Sequence, residues 1–330
     1  MFINYVVTLV ASLLLSFIFI HLLKTFSLRK GILISQGIPL VGGVAMALSF
    51  IIIIASSFNI LINKIIPKEI IGILIASALM FIFELLDDRR EMSVKAKFLV
   101  QLFACSILIL FGIKTQIMHI GNQLNIIITF IWVIAITNAF NLLDILDGVA
   151  GVTSLVVSLA LFTISFLKTD ISTSLLLLAL IGATLGFLIY NLPPAKVYMG
   201  NSGSHFLGFA LASIALIVSY APAERKIALI APLLILGFPI FDTAFLILMR
   251  LLRKKLPFKK SNDHLVLRFL ALGYSKKKAL FVMFLWNVFF ALCGTALVFV
   301  SKPAGIVLIA ASFLATLVLT KKMSTVKIND

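Results

Sequence analysis

The sequence predicts an all-α polytopic integral membrane protein with about ten or eleven transmembrane helices, and three observations predict it. Hydrophobic residues make up 62% of the 330, and the mean hydropathy is +1.20; soluble domains run at about 45–50% apolar. The apolar residues gather into eleven runs near the ~20 residues that a bilayer-crossing helix needs. Their periodicity is helical or continuous, without the alternating pattern of a membrane β-barrel.

Taken in order, the first run, 4–23, has no basic residue before it and Lys24, Arg29 and Lys30 after it. By the positive-inside rule its N-terminus lies outside, and no small-residue cleavage site marks it as a signal peptide. The second, 38–62, opens inside on QGIPLVGGVAM, where Gly42 and Gly43 allow close backbone approach. The third, 69–86, closes inside on FELLDDRREMSVKAKF, 83–98. Runs 98–113 and 124–140 lead back to NAFNLLDILDGVAG, 138–151. Runs 152–167 and 173–190 lead to NLPPAKVYMGNSGSHFLGF, where Pro193 and Pro194 stop one helix and Gly200, Gly203 and Ser204 lead into the next, 204–220. Run 227–249 holds Asp242, about 12 Å into the membrane from Arg250 at ~1.5 Å per residue, and Pro239, placed to kink the helix. The longest loop, 250–278, precedes the last two runs, 279–300 and 303–320.

This map puts 21 of the 28 Lys and Arg inside and seven outside, with the C-terminus inside. The net charge of +16 then fits a cytoplasmic face resting on anionic lipid and receiving an anionic substrate, with no nucleic-acid partner required. Cys105 and Cys293 both fall in apolar runs and read as small buried hydrophobes; no disulfide framework or zinc spacing exists. Residues 1–330 read as a single transmembrane domain.

Only twelve acidic residues occur, and most lie close to the inside face. Acids near a membrane are costly, so each raises a functional question. Asp87 and Asp88 follow Glu84 by three and four residues, on one helical face, and Arg89, Arg90, Lys95 and Lys97 come next. Adjacent carboxylates beside cations suit work on a metal or proton with phosphate held nearby; a charged helix end is the bland alternative. Asn138, Asn141, Asp144 and Asp147 recur every three residues, one amide or carboxylate per helical turn, which fits a cation or a donor-rich substrate, or else polar helix–helix contact. Asn201 sits at a helix start whose free N–H groups favour an anion or simply a cap. The basic loop offers His264 and Arg268 for phosphate, its outlying lysines reading as a polybasic strip on lipid. All of these segments reach one face, which argues for a cytoplasmic-side site handling phosphates.

The motifs GIPLVGGVAM, LLDDRREMSVKAKFLVQ, NAFNLLDILDGVAG, NLPPAKVYMGNSGS, PIFDT and DHLVLRFLALGYS, in this order over nearly the whole chain, resemble those of the polyprenyl-phosphate N-acetylhexosamine-1-phosphate transferases, and are closer to the GlcNAc-1-phosphate branch than to the muramoyl-pentapeptide branch. The resemblance implies transfer of a sugar 1-phosphate from a UDP-sugar to a polyprenyl (undecaprenyl) phosphate lipid, with release of UMP, at the cytoplasmic membrane. It implies Mg²⁺, with Mn²⁺ as an alternative, and leaves room for a homodimer. It places Asp87, Asp88 and Asp144 in catalysis, and Asn141, Asn201 and Asp88 at the metal. Asn138, Asp144, Asp147, Asn191 and Lys95 fall at the nucleotide sugar, and Lys97, His264 and Arg268 at phosphate. Three departures stand out: Asn201 replaces the usual Asp, Ile145 the usual Gly, and Val266 and Leu267 the usual histidines. A non-catalytic relative that binds lipid phosphate or nucleotide sugar, and a transporter, are the competing readings. The acids crowd one face and only Asp242 approaches the midplane, which disfavours the transporter.

Overall fold

The computed structural model describes residues 2–61, 65–118, 120–220, 226–254, 263–326 and 328. Its helices are α1 (Phe2–Lys30), α2 (Gly42–Ser56), α3 (Lys68–Arg89), α4 (Val94–Leu110), α5 (Gly121–Leu143), α6 (Val149–Leu167) and α7 (Ile171–Asn191). They continue with α8 (Gly200–Ile217), α9 (Ala231–Ile235), α10 (Gly237–Leu252), α11 (Leu265–Ala271), α12 (Lys276–Leu297) and α13 (Lys302–Ser324). A π-helical turn, Ser57–Leu61, extends α2, and a 3₁₀ turn, Lys226–Ile230, leads into α9. Two short antiparallel strands, β1 (Ile34–Ser35) and β2 (Ile38–Pro39), form a hairpin between α1 and α2.

Each predicted run coincides with a helix or with consecutive helical pieces. Among the described residues, eight helices are long and apolar enough to cross a membrane, and the segments Ile227–Ile235 and Gly237–Leu252, bent by 69°, make a ninth if taken as one span. The two others are α4, at 17 residues, and α8, whose first turn GNSGSH is polar. The bend falls at Leu236, before Pro239: proline has no N–H to offer the carbonyl four residues back, so the helix breaks there. Helix starts are capped as their sequences suggest. Ser93 accepts from Ala96 N–H at 3.3 Å, Asp170 from Thr173 N–H at 3.0 Å and Ser275 from Lys278 N–H at 3.3 Å.

The most deeply buried span is α7, whereas α1 and α13 face outward along most of their length. Helix α7 packs on α1, α2 and α6, and α8 packs on α2, α3, α5 and α6. Lipid tails are as apolar as leucine, so helices meet here through small residues and interhelical hydrogen bonds. A Cβ on Gly182 would lie 2.4 Å from Leu9 O, and one on Gly186 2.7 Å from Leu13 O. Between them Ser12 Oγ donates to Ala179 O at 2.6 Å and Ser16 Oγ to Ala183 O at 2.8 Å. Cys105 and Cys293 are buried free thiols.

Candidate active site

The C-terminal ends of α3, α5 and α7 and the N-terminal ends of α4, α6 and α8 come together at one end of the bundle. There they enclose a cavity of about 740 Å³, a volume suited to a small-molecule or cofactor site. Eight predicted site residues line it: Asp87, Asp88, Lys97, Asn141, Asp144, Asp147, Asn191 and Asn201.

Asp87 ends α3 in a dense set of donors. Its Oδ2 accepts from Lys97 Nζ at 2.6 Å and Asn201 Nδ2 at 2.9 Å, and its Oδ1 from Met92 N–H at 2.7 Å. Asp88 turns to α8, where Oδ1 accepts from Asn201 N–H at 2.8 Å and Oδ2 from Ser202 N–H at 3.0 Å. The free helix-start amides read from the sequence are thus capped by a carboxylate from α3, which also suits the helix dipole. Gly200 is required at this joint: its φ is +72°, and a Cβ would lie 2.6 Å from Asp88 Oδ2. Behind it, a Cβ on Gly43 would lie 2.4 Å from Gly203 N, so α2 and α8 touch backbone to backbone as QGIPLVGGVAM suggests.

Helix α5 stops at Leu143, which splits the three-residue repeat into four environments. Asn138 exchanges hydrogen bonds with Gln101 of α4, at 2.9 and 3.4 Å, and does not line the cavity; it serves helix contact. Asn141 Nδ2 donates to Asn201 Oδ1 and Ser204 Oγ, both at 3.1 Å. Asp147 Oδ2 accepts from Ala195 N–H at 3.2 Å and lies 3.9 Å from Lys276 Nζ. The Asp144 carboxylate faces the cavity with no hydrogen-bond partner among the described residues. Loss of water, and then the charges of Asp88 and Asp147, push its carboxyl up to about 7. Asn191 is buried; its Oδ1 accepts from Gly148 N–H at 2.9 Å and its Nδ2 donates to Val197 O at 2.9 Å, which ties α7 to the turn before α6.

Three other predicted residues lie elsewhere. Lys95 is exposed beside the cavity without lining it. Arg268 is wholly buried. Its Nη1 donates to Met323 O and Val326 O, at 2.8 and 2.7 Å, and its Nη2 to Asp263 Oδ1 at 3.0 Å. His264 sits 3.7 Å from Asp242 Oδ2, and Asp242 Oδ1 accepts from Leu265 N–H at 3.3 Å. Arg268, His264 and Asp242 therefore form a structural cluster around α11, and none of them lines the cavity. Arg268 and His264 are both buried away from the cavity where phosphate is expected, while Arg268 Nε has no hydrogen-bond partner among the described residues. Of the basic loop around them, residues 255–262 lie outside the described residues.

Sequence reasoning missed the hairpin tip, where Ser35, Gln36 and Leu40 form one wall beside Tyr198. The tip is pinned by Tyr198 N–H donating to Pro39 O at 2.9 Å. The positive φ of Gln36 and Gly37 marks a tight turn, and the adjoining glycines were the only signal for it. Lys276, one of a run of exposed lysines, carried none.

Among the described residues, no three His, Cys, Asp or Glu side chains come together to hold a metal. The wider donor set does fit a divalent cation. Asn141, Asn201, Asp88 and an unpaired, charge-crowded Asp144 all line the cavity, and amide and carboxylate oxygens are ligand types that Mg²⁺ accepts.

Comparison with known proteins agrees with this architecture. Residues 70–219 match the model of glycosyl transferase family 4. The chain is 30% identical over 315 residues to the "Probable undecaprenyl-phosphate N-acetylglucosaminyl 1-phosphate transferase" of Bacillus subtilis (strain 168), covering 89% of this chain and 85% of that one. It is 28% identical over 259 residues to the undecaprenyl-phosphate alpha-N-acetylglucosaminyl 1-phosphate transferase of Thermotoga maritima, covering 78% and 77%. It is also 28% identical over 279 residues to the decaprenyl-phosphate N-acetylglucosaminephosphotransferase of Mycobacterium tuberculosis (strain CDC 1551 / Oshkosh), covering 75% and 69%. The helices long and apolar enough to cross a membrane mark a multi-pass membrane protein, and these relatives mark a transferase. Within that class, the chain belongs to glycosyl transferase family 4.

Proposed function

We propose that this chain transfers a sugar 1-phosphate of the N-acetylhexosamine class, GlcNAc-1-phosphate foremost, from a UDP-sugar to polyprenyl phosphate, as the first membrane step of cell-wall or surface-glycan synthesis. The observation that carries this reading is the convergence of Asp87, Asp88, Lys97, Asn141, Asp144 and Asn201 on one cavity at the ends of six helices. The named relatives act on prenyl phosphate carriers, and the positive-inside bias supports a cavity on the cytoplasmic side of the cytoplasmic membrane.

In this reaction an oxygen of the lipid phosphate attacks the β-phosphorus of the UDP-sugar, and the bond from that phosphorus to the oxygen bridging to UMP breaks. Such transfers depend mainly on positioning and charge neutralisation. Lys97, held 2.6 Å from Asp87, is the cation nearest the acids and binds the incoming lipid phosphate. Asp87, bonded to Lys97, Asn201 and the Met92 N–H, holds Lys97 in place and orients that phosphate. Asp144 and Asp147 line the side where the donor lies, and Asn191 holds the turn that carries them. Asn141, Asn201, Asp88 and Asp144 would hold Mg²⁺, or Mn²⁺ in its place. When bound, the ion would neutralise charge on the diphosphate and relieve the repulsion at Asp144.

The test is UMP release by purified protein given polyprenyl phosphate, Mg²⁺ and a panel of UDP-sugars. Release with UDP-GlcNAc is expected, falling at least a hundredfold in Asp87→Asn and Asp144→Asn. No release with any sugar from a folded sample overturns the proposal in favour of a binding-only relative.

A further inference from the structure

Behind the cavity, one helical turn from Asp87 and Asp88, two ionisable side chains face each other out of reach of solvent. Glu84 of α3 is 2% exposed and His205 of α8 is 3% exposed. His205 Nδ1 lies 3.0 Å from Asn201 O and 3.5 Å from Glu84 Oε2. That carboxylate oxygen has no hydrogen-bond partner, and neither residue lines the cavity. A buried, incompletely paired ionisable group does not earn its place through stability: well-packed apolar side chains in the same space are often as stable or more so.

The placement of the pair points to its use. Glu84, Asp87 and Asp88 share one face of α3, and Asn201 and His205 share one face of α8, at spacings that make neighbours. The first turn of α8 is held to α3 by three hydrogen bonds at its tip: Asp88 to the N–H groups of Asn201 and Ser202, and Asp87 to the Asn201 amide. One turn further down, Glu84 Oε2 approaches within 3.5 Å of the same His205 nitrogen that meets the Asn201 carbonyl inside α8.

We propose that Glu84 and His205 are positioning residues: they fix the first turn of α8 against α3, so that the Asn201 side chain stays between Asp87 and Asn141 during transfer. The inference rests on the transferase reading for its kinetic consequence alone. Neither residue touches substrate, so substrate binding is preserved while the alignment of the reacting groups is lost.

The experiment compares wild type with Glu84→Gln, His205→Leu and the double variant Glu84→Leu/His205→Leu. It reads kcat and KM for donor and lipid, the thermal midpoint in detergent, and hydrogen exchange at the Asn201 and Ser202 amides. Each single variant is expected to lose about tenfold in kcat, with both KM values within twofold, since the alignment of reacting groups carries large rate factors. The double variant should lose no more than the worse single one, because coupled residues are non-additive. Its thermal midpoint should equal or exceed that of wild type, while exchange at the two amides rises about tenfold. Unchanged kcat in a folded double variant, losses that multiply, activity that merely tracks the midpoint, or unchanged exchange each overturn the proposal. If wild type releases no UMP, the transferase reading fails by itself, and the exchange measurement still decides whether the pair holds the turn.

Discussion

Asn201 donates to Asp87 at 2.9 Å and accepts from Asn141 at 3.1 Å. An aspartate in its place keeps the acceptor, loses the donor and sets two carboxylates side by side. Asn201→Asp is therefore expected to lower the thermal midpoint without divalent cation and to give a larger rise when Mg²⁺ is added. Equal Mg²⁺ responses in wild type, Asn201→Asp and Asn201→Ala would remove Asn201 from the metal site. Asp144 gives a second prediction. Its carboxyl titrates near 7 in the folded, metal-free protein and near 4 when unfolded. The folded form therefore holds the proton more tightly, and the residue's contribution to stability is lost as pH rises from about 4 through 7. Midpoints measured across that range should fall less steeply in Asp144→Asn than in wild type, and saturating Mg²⁺ should flatten the wild-type curve. The candidate residues around these two were legible because acids and amides are rare in an apolar chain. Their individual roles were not, since the three-residue repeat of Asn138, Asn141, Asp144 and Asp147 does not reveal that α5 ends at Leu143.

Among the elements, α2, α3 and α8 share a joint made of glycine and aspartate. Gly43→Ala drives a methyl into the backbone of α8, and overpacking of this kind costs about 1–3 kcal/mol. Gly200→Ala meets Asp88 and also an unfavourable φ. Both variants should lower the thermal midpoint and cut transfer more than they cut folded yield, measured by activity per folded molecule. Arg268→Ala should behave in the opposite way. It strips a buried partner from Asp263 and from two carbonyls near the end of α13, a change worth about 3–5 kcal/mol by analogy with broken buried pairs. The folded remainder should keep its KM for lipid phosphate; a raised KM would return Arg268 to the substrate. The run DHLVLR was legible as a motif. Its role in tethering α13 was not, because the acceptors are backbone carbonyls 55 and 58 residues away and carbonyls leave no trace in a sequence.

At the scale of the whole molecule, hydropathy located the eight helices and the bent pair that are long and apolar enough to cross a membrane among the described residues, because the demand for internally bonded backbone in lipid favours helices. Charge asymmetry adds an orientation: a reporter fused after residue 324 should be accessible only from the cytoplasm, and access from the other side would invert the map. The choice of packing partner was illegible, since all apolar helix faces look alike to lipid. The contact between α1 and α7 is the clearest case. Two glycines and two serines bring together segments 167 residues apart in the chain. At synthesis rates of ~5–20 residues per second, roughly 10–30 s separate the emergence of one from that of the other. During biogenesis the surface that the first helix packs on is therefore absent until the seventh has been made, so this contact closes after more than half of the chain has emerged.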